Sequence, residues 1–286
     1  MNWEMAKTWL IVSFFILDLI LGVQVYQSHR ELMGYVESYP DQLANTKTLL
    51  AEHGFSLSAT VPAQHPDMPF VRATYATPSL QLLGNTAFPS ARNSNDDDGA
   101  RMVQSTDGTL QVTNPGAWKV RYTVCPKVSD ADLSTALHYV WHGDSYIRDT
   151  GFASGDIANS NRPLFIMQFD SFPFFDVPVT LDVKDHQLLG YTQIYLTNVT
   201  ASGDKKPTIS ALDALNNLAS TVDKSTQRQD NRILSIQLGY YHKIPGSSTE
   251  TEHVSTTSYW FPVWRVMTAR EIFYVNAFTG EVETPS

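Results

Sequence analysis

Residues 9–26, "WLIVSFFILDLILGVQVY", are almost wholly apolar, interrupted by Ser13, Asp18, Gly22 and Gln24. Nothing else in the chain limits its fate so tightly, because such a run must be covered by protein or by lipid. Wound as a helix at about 1.5 Å per residue, it reaches roughly 27 Å, close to the ~30 Å hydrocarbon core of a bilayer. A cleaved signal peptide has a shorter apolar region and a small-residue cleavage site behind it. Here "VQVYQSHRE" follows and offers no such site. The sequence therefore predicts an uncleaved signal anchor over 9–26, ahead of a cleaved signal or a buried helix. A head at 1–8 precedes it and a juxtamembrane piece at 27–36 follows. Lys7 and Arg30 flank the span almost evenly, so orientation rests on the short head staying inside, with residues 27–286 outside.

Asp18 falls near the middle of this span. Translocon scales charge about 2.5–3.5 kcal/mol for an ionised Asp at that depth. At 100° per residue Ile11, Phe14, Gly22 and Val25 share its side of the helix, whereas Ser13 and Gln24 point elsewhere. Two readings stand. The carboxylate is tolerated, held neutral in a greasy span. Or it makes an interhelical hydrogen bond, with Gly22 letting another backbone approach.

Beyond the span, one domain is a tight fit for about 260 residues, and two α+β domains are expected, at 37–157 and 158–286. The small, polar stretch "DTGFASGDIANSN" (149–161) supplies the boundary. A net charge of −9 argues against a nucleic-acid partner. Cys125 is the single cysteine, so no intrachain disulfide can form. It lies on the more polar side of an alternating strand, with no base visible to activate it.

Helical spacing in "PDQLANTKTLLAEHG" (40–54) brings Leu43, Thr46, Leu49 and Leu50 together before Gly54. Proline-punctuated extended pieces follow, then a long exposed loop or hairpin with two Asp-Gly turns in "FPSARNSNDDDGARMVQSTDGTLQV". Asn95 to Asp98 make a solvated acidic turn rather than a calcium loop, which would need a spaced ligand set. "SDADLSTALHYVWHG" (129–143) predicts a helix carrying His138 and His142 at i,i+4, a metal-ligand spacing. The glutamate of H-E-x-x-H is missing, so surface histidines are expected and no metal. Asp170 and Asp176 suggest a carboxylate pair for glycoside hydrolysis, but both flank Pro-containing turns where Asp is common. G-x-S-x-G, P-loop and dinucleotide motifs are missing. No catalytic residue and no cofactor are expected.

The last third is the most regular. "PTISALDALNNLASTVD" (207–223) is a helix opened by Ser210 with Asp213. "RILSIQLGYY" alternates Leu234, Ile236, Leu238 and Tyr240 on one strand face. "SYWFPVWRVM" and "EIFYVNAFTGEVE" complete an antiparallel sheet, with Pro262 marking an edge or bulge. Tyr240, Trp264, Tyr274 and Asn276 are core and turn positions, or else the lining of a small external aromatic groove.

Taken together these segments resemble the YycI (WalI) family. The likeness runs through "MNWEMAKTWLIVSFFILDLILGVQVYQ", "FPFFDVPVTLDV", "GYTQIYL", "ILSIQLGYY", "FPVWRV" and "YVNAFTGEVE". The resemblance implies a membrane-anchored accessory regulator of the WalK–WalR (YycG–YycF) two-component system of Gram-positive bacteria. Its partners would be the WalK (YycG) sensor histidine kinase and a YycH-like protein, met through membrane helices and external domains. It supplies no catalytic residue. The C-terminal unit is also similar to PepSY-type modules, which leaves open an exported ligand- or wall-binding module, or inhibitor, without a signalling partner.

Overall fold

The computed structural model describes residues 38–89, 101–128, 133–151, 164–221, 231–242, 257–268 and 271–283, together with Phe14, Leu17, Asp18 and Leu21. The fold is mixed α+β and dominated by sheet. Fourteen strands are described: β1 (Phe55–Leu57), β2 (Met68–Tyr75), β3 (Met102–Gln104), β4 (Gly108–Asn114), β5 (Ala117–Tyr122), β6 (Tyr146–Arg148) and β7 (Leu164–Phe169). Then come β8 (Phe172–Lys184), β9 (Gln187–Ile194), β10 (Leu196–Lys206), β11 (Asn231–His242), β12 (Thr257–Thr268), β13 (Ile272–Asn276) and β14 (Val282–Glu283). The helices are α1 (Tyr39–Glu52), α2 (Leu80–Ala87) and α3 (Ala211–Thr221).

Strand pairing sorts the chain by nesting. The central sheet, in the order β3-β4-β5-β9-β8-β7-β6, comes wholly from residues 102–194. The terminal sheet takes strands from both sides of that segment. In it β2 lies between β10 and β12, β12 also pairs β11 and β13, and β1 lies on β11. The expected domain boundary between residues 157 and 158 lies outside the described residues.

The two sheets meet where β8 runs parallel to β11 through Phe174 and Tyr240. Gly239 makes this approach feasible. A Cβ there would sit 2.5 Å from the Pro173 carbonyl and 2.7 Å from the Phe175 ring. Aromatic side chains fill the joint: Phe174 packs on Tyr240 at 5.4 Å and edge-on to Trp260 at 5.9 Å. The β7–β8 and β8–β9 hairpins each turn on two residues with positive φ, Asp170–Ser171 and Asp185–His186, the signature of a type I′ turn.

Local chemistry explains most elements. α1 buries Thr46 and Leu50 and stops at Gly54, whose φ of +79° suits a helix-terminating residue. α3 buries Leu212, Leu215 and Leu218 and lies against β12, β13 and β14. Its cap is reciprocal: the Asp213 amide donates to Ser210 Oγ and the Ser210 amide to Asp213 Oδ2. α2 escaped the sequence reading. It has two turns, and its signal is Ser79, whose hydroxyl accepts from the Leu82 amide.

Three expectations are corrected. No α-helix carries His138 and His142. Residues Leu133–Tyr139 form a 3-10 turn and His142 has a left-handed backbone. Gln193 Nε2 donates to the Trp141 carbonyl at 2.6 Å, and Trp141 packs on Trp118. Those contacts draw the chain out of helical register, so the two histidines share no helical face. On β11 the inward alternation is broken at Leu234 by a bulge between Ile233 and Ser235, and Ile233 is buried in its stead. Pro262 marks neither an edge nor a bulge. It sits where β12 exchanges partners, between pairing with β2 up to Trp260 and with β13 from Val263. A missing N–H costs little at such an exchange. Of the loop or hairpin expected at 88–112, the described part is a hairpin, β3 with β4, while the acidic run Asn95–Asp98 lies outside the described residues.

Among the described residues no helix is long and apolar enough to cross a membrane. The expected span at 9–26 lies outside them except for Phe14, Leu17, Asp18 and Leu21, all four helical.

Because the joint depends on Gly239 lacking a side chain, Gly239→Val should cost about 1–3 kcal/mol in urea unfolding. Stability equal to the parent would show that the sheets do not need this close crossing.

Candidate functional site

Arg265 lies in the middle of β12, in a stretch otherwise apolar and buried from Pro262 to Met267, and it is 1 % exposed. A guanidinium in such a place needs a partner of equal burial. Asp149, directly after β6, provides it: Nη1 reaches Oδ2 at 2.6 Å and Nη2 reaches Oδ1 at 2.7 Å. The Gly151 amide donates to Asp149 Oδ1, and Arg265 Nη2 donates to Gln237 Oε1 at 2.5 Å. Gln237 Nε2 in turn donates to Thr150 Oγ1. The guanidinium carbon stands 4.2 Å above the centre of the Phe175 ring, adding a cation–π contact. A bidentate fork of this kind fixes direction as well as distance, which a lysine could not do. It ties the edge of the central sheet to the middle of the terminal sheet.

Above this pair opens a cleft of about 470 Å³, within the range of about 300–1,000 Å³ typical of ligand sites. Ile236, Gln237 and Leu238 of β11 form its floor, with Trp264 opposite Leu238 on the neighbouring strand β12, and residues 147–150 and 171–173 form two walls. The third wall, with Pro62 and Pro66, is held by hydrogen bonds between His65 Nδ1 and the Thr208 carbonyl and from Thr208 Oγ1 to the Pro66 carbonyl. A smaller hollow of about 330 Å³ lies over β5, β8 and β9. Lys119, Arg121 and Asp182 mix their signs there, so it offers no single charge to a ligand.

Of the motif positions, Trp264 borders the cleft, fully buried, and donates its indole N–H to the Ile209 carbonyl at 3.0 Å. Tyr240 packs in the joint between the sheets, where burial pushes its phenol up to about 12. Tyr274 stacks on Tyr241 at 3.9 Å, and burial raises its pKa well above the ordinary range. Asn276 Oδ1 accepts from the Phe278 and Thr279 amides and shapes the turn into β14. Tyr240, Tyr274 and Asn276 do not line the cleft. Asp18 and Phe14 are helical and exposed, while Ile11, Gly22 and Val25 lie outside the described residues.

Asp170, Asp176 and His142 have structural employment, while His138 is exposed. Asp170 forms a hairpin turn. Asp176 is half-buried in β8 and accepts from Trp260 Nε1 at 3.0 Å and from the His242 amide at 3.2 Å. Burial pushes the Asp176 carboxyl up to about 6, the hydrogen bonds offsetting part of that rise. His142 stacks on Tyr195 at 5.2 Å. The Cys125 thiol, half-buried, faces the Tyr122 carbonyl at 3.9 Å. Among the described residues no group of three or more His, Cys, Asp or Glu could hold a metal ion.

Sequence reasoning missed the Asp149–Arg265–Gln237 network. The signal was present: an arginine inside "WFPVWRVM" asks for a buried carboxylate. The sequence does not say which one, and Asp149 sat in a stretch read as a linker.

What fold and site define is a sheet-dominated α+β protein with a pre-formed cleft, its best-buried charges used to join two sheets. The chain belongs to the YycI family: the family described as "YycI protein" matches residues 40–278. That membership places it among the regulatory accessory proteins of the WalK/YycG two-component pathway, a family not known for catalysis. No curated protein matches. Among solved structures, an uncharacterized protein from Eubacterium rectale ATCC 33656 is similar, with a TM-score of 0.52 and 9 % identity over 85 % of this chain and 99 % of that one. At that identity the likeness concerns the fold alone.

Removing one member of the buried pair strands the other's charge. Asp149→Leu and Arg265→Met should each cost about 3–5 kcal/mol in urea unfolding, and the double replacement Asp149→Leu/Arg265→Met should recover most of it. Additive losses in the cycle would refute the coupling.

Asp176 gives a pH signature. Its folded pKa of about 6 exceeds its ordinary 3.8, so the folded state holds the proton more tightly than the unfolded chain. The contribution is favourable at low pH and is lost as pH rises from about 4 to about 6. Asp176→Asn keeps an acceptor for Trp260 without titrating. Its stability relative to the parent should therefore climb across that interval and level off above it. A pH-independent difference would show that the carboxyl does not titrate in this window.

Proposed function

We propose that this chain is a non-catalytic regulator that acts on a WalK (YycG)-like sensor histidine kinase in the cell membrane of a Gram-positive bacterium, alongside a YycH-like protein. The observation that carries the reading is the family match over residues 40–278. Contact is made at two levels, through a membrane helix at 9–26 and through the residues outside it, with the N-terminus in and the C-terminus out. The 18-residue apolar run supports the anchor. So does the helical conformation of Phe14, Leu17 and Leu21, whose side chains are 59 %, 50 % and 49 % exposed and are suited to lipid or to another helix. A regulator needs surfaces rather than a reaction centre, in keeping with Asp170, Asp176 and His142 committed to a turn, an indole bond and stacking.

Crosslinking in intact membranes followed by mass spectrometry tests the partners. A kinase and a YycH-like protein should be recovered with this chain. Retention on peptidoglycan with neither of them would favour a wall-binding module instead.

Asp18 tests the membrane contact. An interhelical hydrogen bond contributes only about 0.6–2 kcal/mol, so its removal should have a partial effect. Asp18→Leu should insert as well as the parent yet weaken recovery of the kinase and shift its output, while Asp18→Asn keeps most of both. Unchanged assembly and signalling in Asp18→Leu would make the carboxylate a passenger.

A further inference from the structure

The floor of the cleft is a strand with one flank uncovered. On one side β11 pairs with β12 from Ile233 through His242. On the other, β1 covers Asn231–Ile233, and the Ile233 carbonyl also accepts from the Ser58 and Ala59 amides. That flank is next met at Tyr240, by Phe174 of β8. Among the described residues no strand pairs with Leu234–Leu238 there, and the cleft opens over Ile236, Gln237 and Leu238.

Backbone N–H and C=O groups held at strand geometry in a cleft demand partners. The group that matches their spacing is another extended backbone, lying about 4.8 Å away and advancing about 3.3 Å per residue. The gap is five residues, or roughly 17 Å, closed at one end by β1 and at the other by the Pro173 crossing at Gly239. It fits a short peptide rather than the edge of a second sheet. A sugar or an acyl chain has no such regular array of amides. In the lining, Phe172 and the exposed Ile147 offer apolar surface, with Ile166 and Trp264 buried behind it. Asp149 is neutralised by Arg265, so the exposed Arg148 on the rim gives the described lining a positive charge. Gln237 is clamped by Arg265 and Thr150, which keeps the floor in place before anything binds.

We propose that this cleft is a strand-addition site for an extended peptide segment of a partner protein. About five peptide residues pair with Leu234–Leu238. One apolar side chain rests against Phe172, and a neighbouring acidic residue faces Arg148. The site continues the ladder that β1 and β8 leave interrupted. Only the source of the peptide rests on the regulatory reading above; the site itself does not.

The test uses the full-length chain in detergent micelles and a display library of random linear peptides about 12 residues long, ample for the gap. Enriched sequences should carry an apolar residue followed closely by an acidic one. A synthetic peptide of that consensus should slow amide exchange at Leu234–Leu238. N-methylation of alternate amides in it should weaken binding at least tenfold, as expected of backbone pairing. Arg148→Glu, on the exposed rim, should weaken it severalfold without changing thermal unfolding and should turn selection toward basic peptides, while Phe172→Ala, which also trims packing against Tyr240, should weaken it severalfold at a temperature where the variant is fully folded. Lack of enrichment, tolerance of N-methylation, or protection elsewhere in the chain would overturn the proposal. So would protection produced by protein concentration alone, which assigns the site to a second copy, or by wall glycan fragments but not linear peptides. Failure of the crosslinking above with success here would leave the site standing and remove only the kinase.

Discussion

Arg265 and Asp149 form the contact on which the remaining geometry depends. Each belongs to a different sheet or its immediate continuation, and neither can stay charged at that depth alone. The pair sets how the end of β6 lies against β12, and that fixes two walls and the floor of the cleft through Gln237 and Thr150. Its value lies in direction more than in net energy. An apolar replacement of equal volume could be as stable, yet it would not oblige Gln237 to lie across the floor.

The second constraint is steric. Two sheets can share an aromatic core only where their backbones come close, and Gly239 is the place at which they do. Phe174, Tyr240 and Trp260 pack around that crossing. The crossing also stops β8 from running further along β11. The uncovered flank of β11 and the tight joint are therefore one event seen from two sides: the chain that seals the core at Tyr240 turns away and leaves Leu234–Leu238 open.

Local rules carried far into this fold. The amphipathic run at 40–54, the Ser210–Asp213 cap and the closing strands of the antiparallel sheet were legible because each is set by neighbours within a few residues. What failed was long-range. The pattern in 129–143 is helical by spacing, but Gln193, some fifty positions away, takes the Trp141 carbonyl and Trp118 takes its ring. Pro262 carried a correct warning about a missing donor, yet edge, bulge and partner exchange give the same sequence signal. The cleft was less legible still. Arg265 announced a buried partner without naming it, and an uncovered strand flank is defined by what other segments leave unpaired, which no short window contains. Family motifs pointed to Trp264 but equally to Tyr240, Tyr274 and Asn276, which hold core and turn.

Nesting of one sheet within the sequence of the other sets an order of folding. Apart from the single Phe174–Tyr240 pairing, the described strands of residues 102–194 find their ladder partners within that segment and can assemble as soon as they are available. Val71, by contrast, must wait for Trp260, and Phe55 for Asn231. Contacts so distant in sequence close slowly, because a long loop's entropy is lost before any pairing compensates it. While the chain emerges from N- to C-terminus, β2 is an unpaired, largely apolar strand, and it stays so until β10 and β12 follow. Loss of the last stretch of chain would thus leave the central sheet formed and the first strands exposed. Such a fragment is prone to aggregation, and the cleft between the sheets, with β12 missing, would never form.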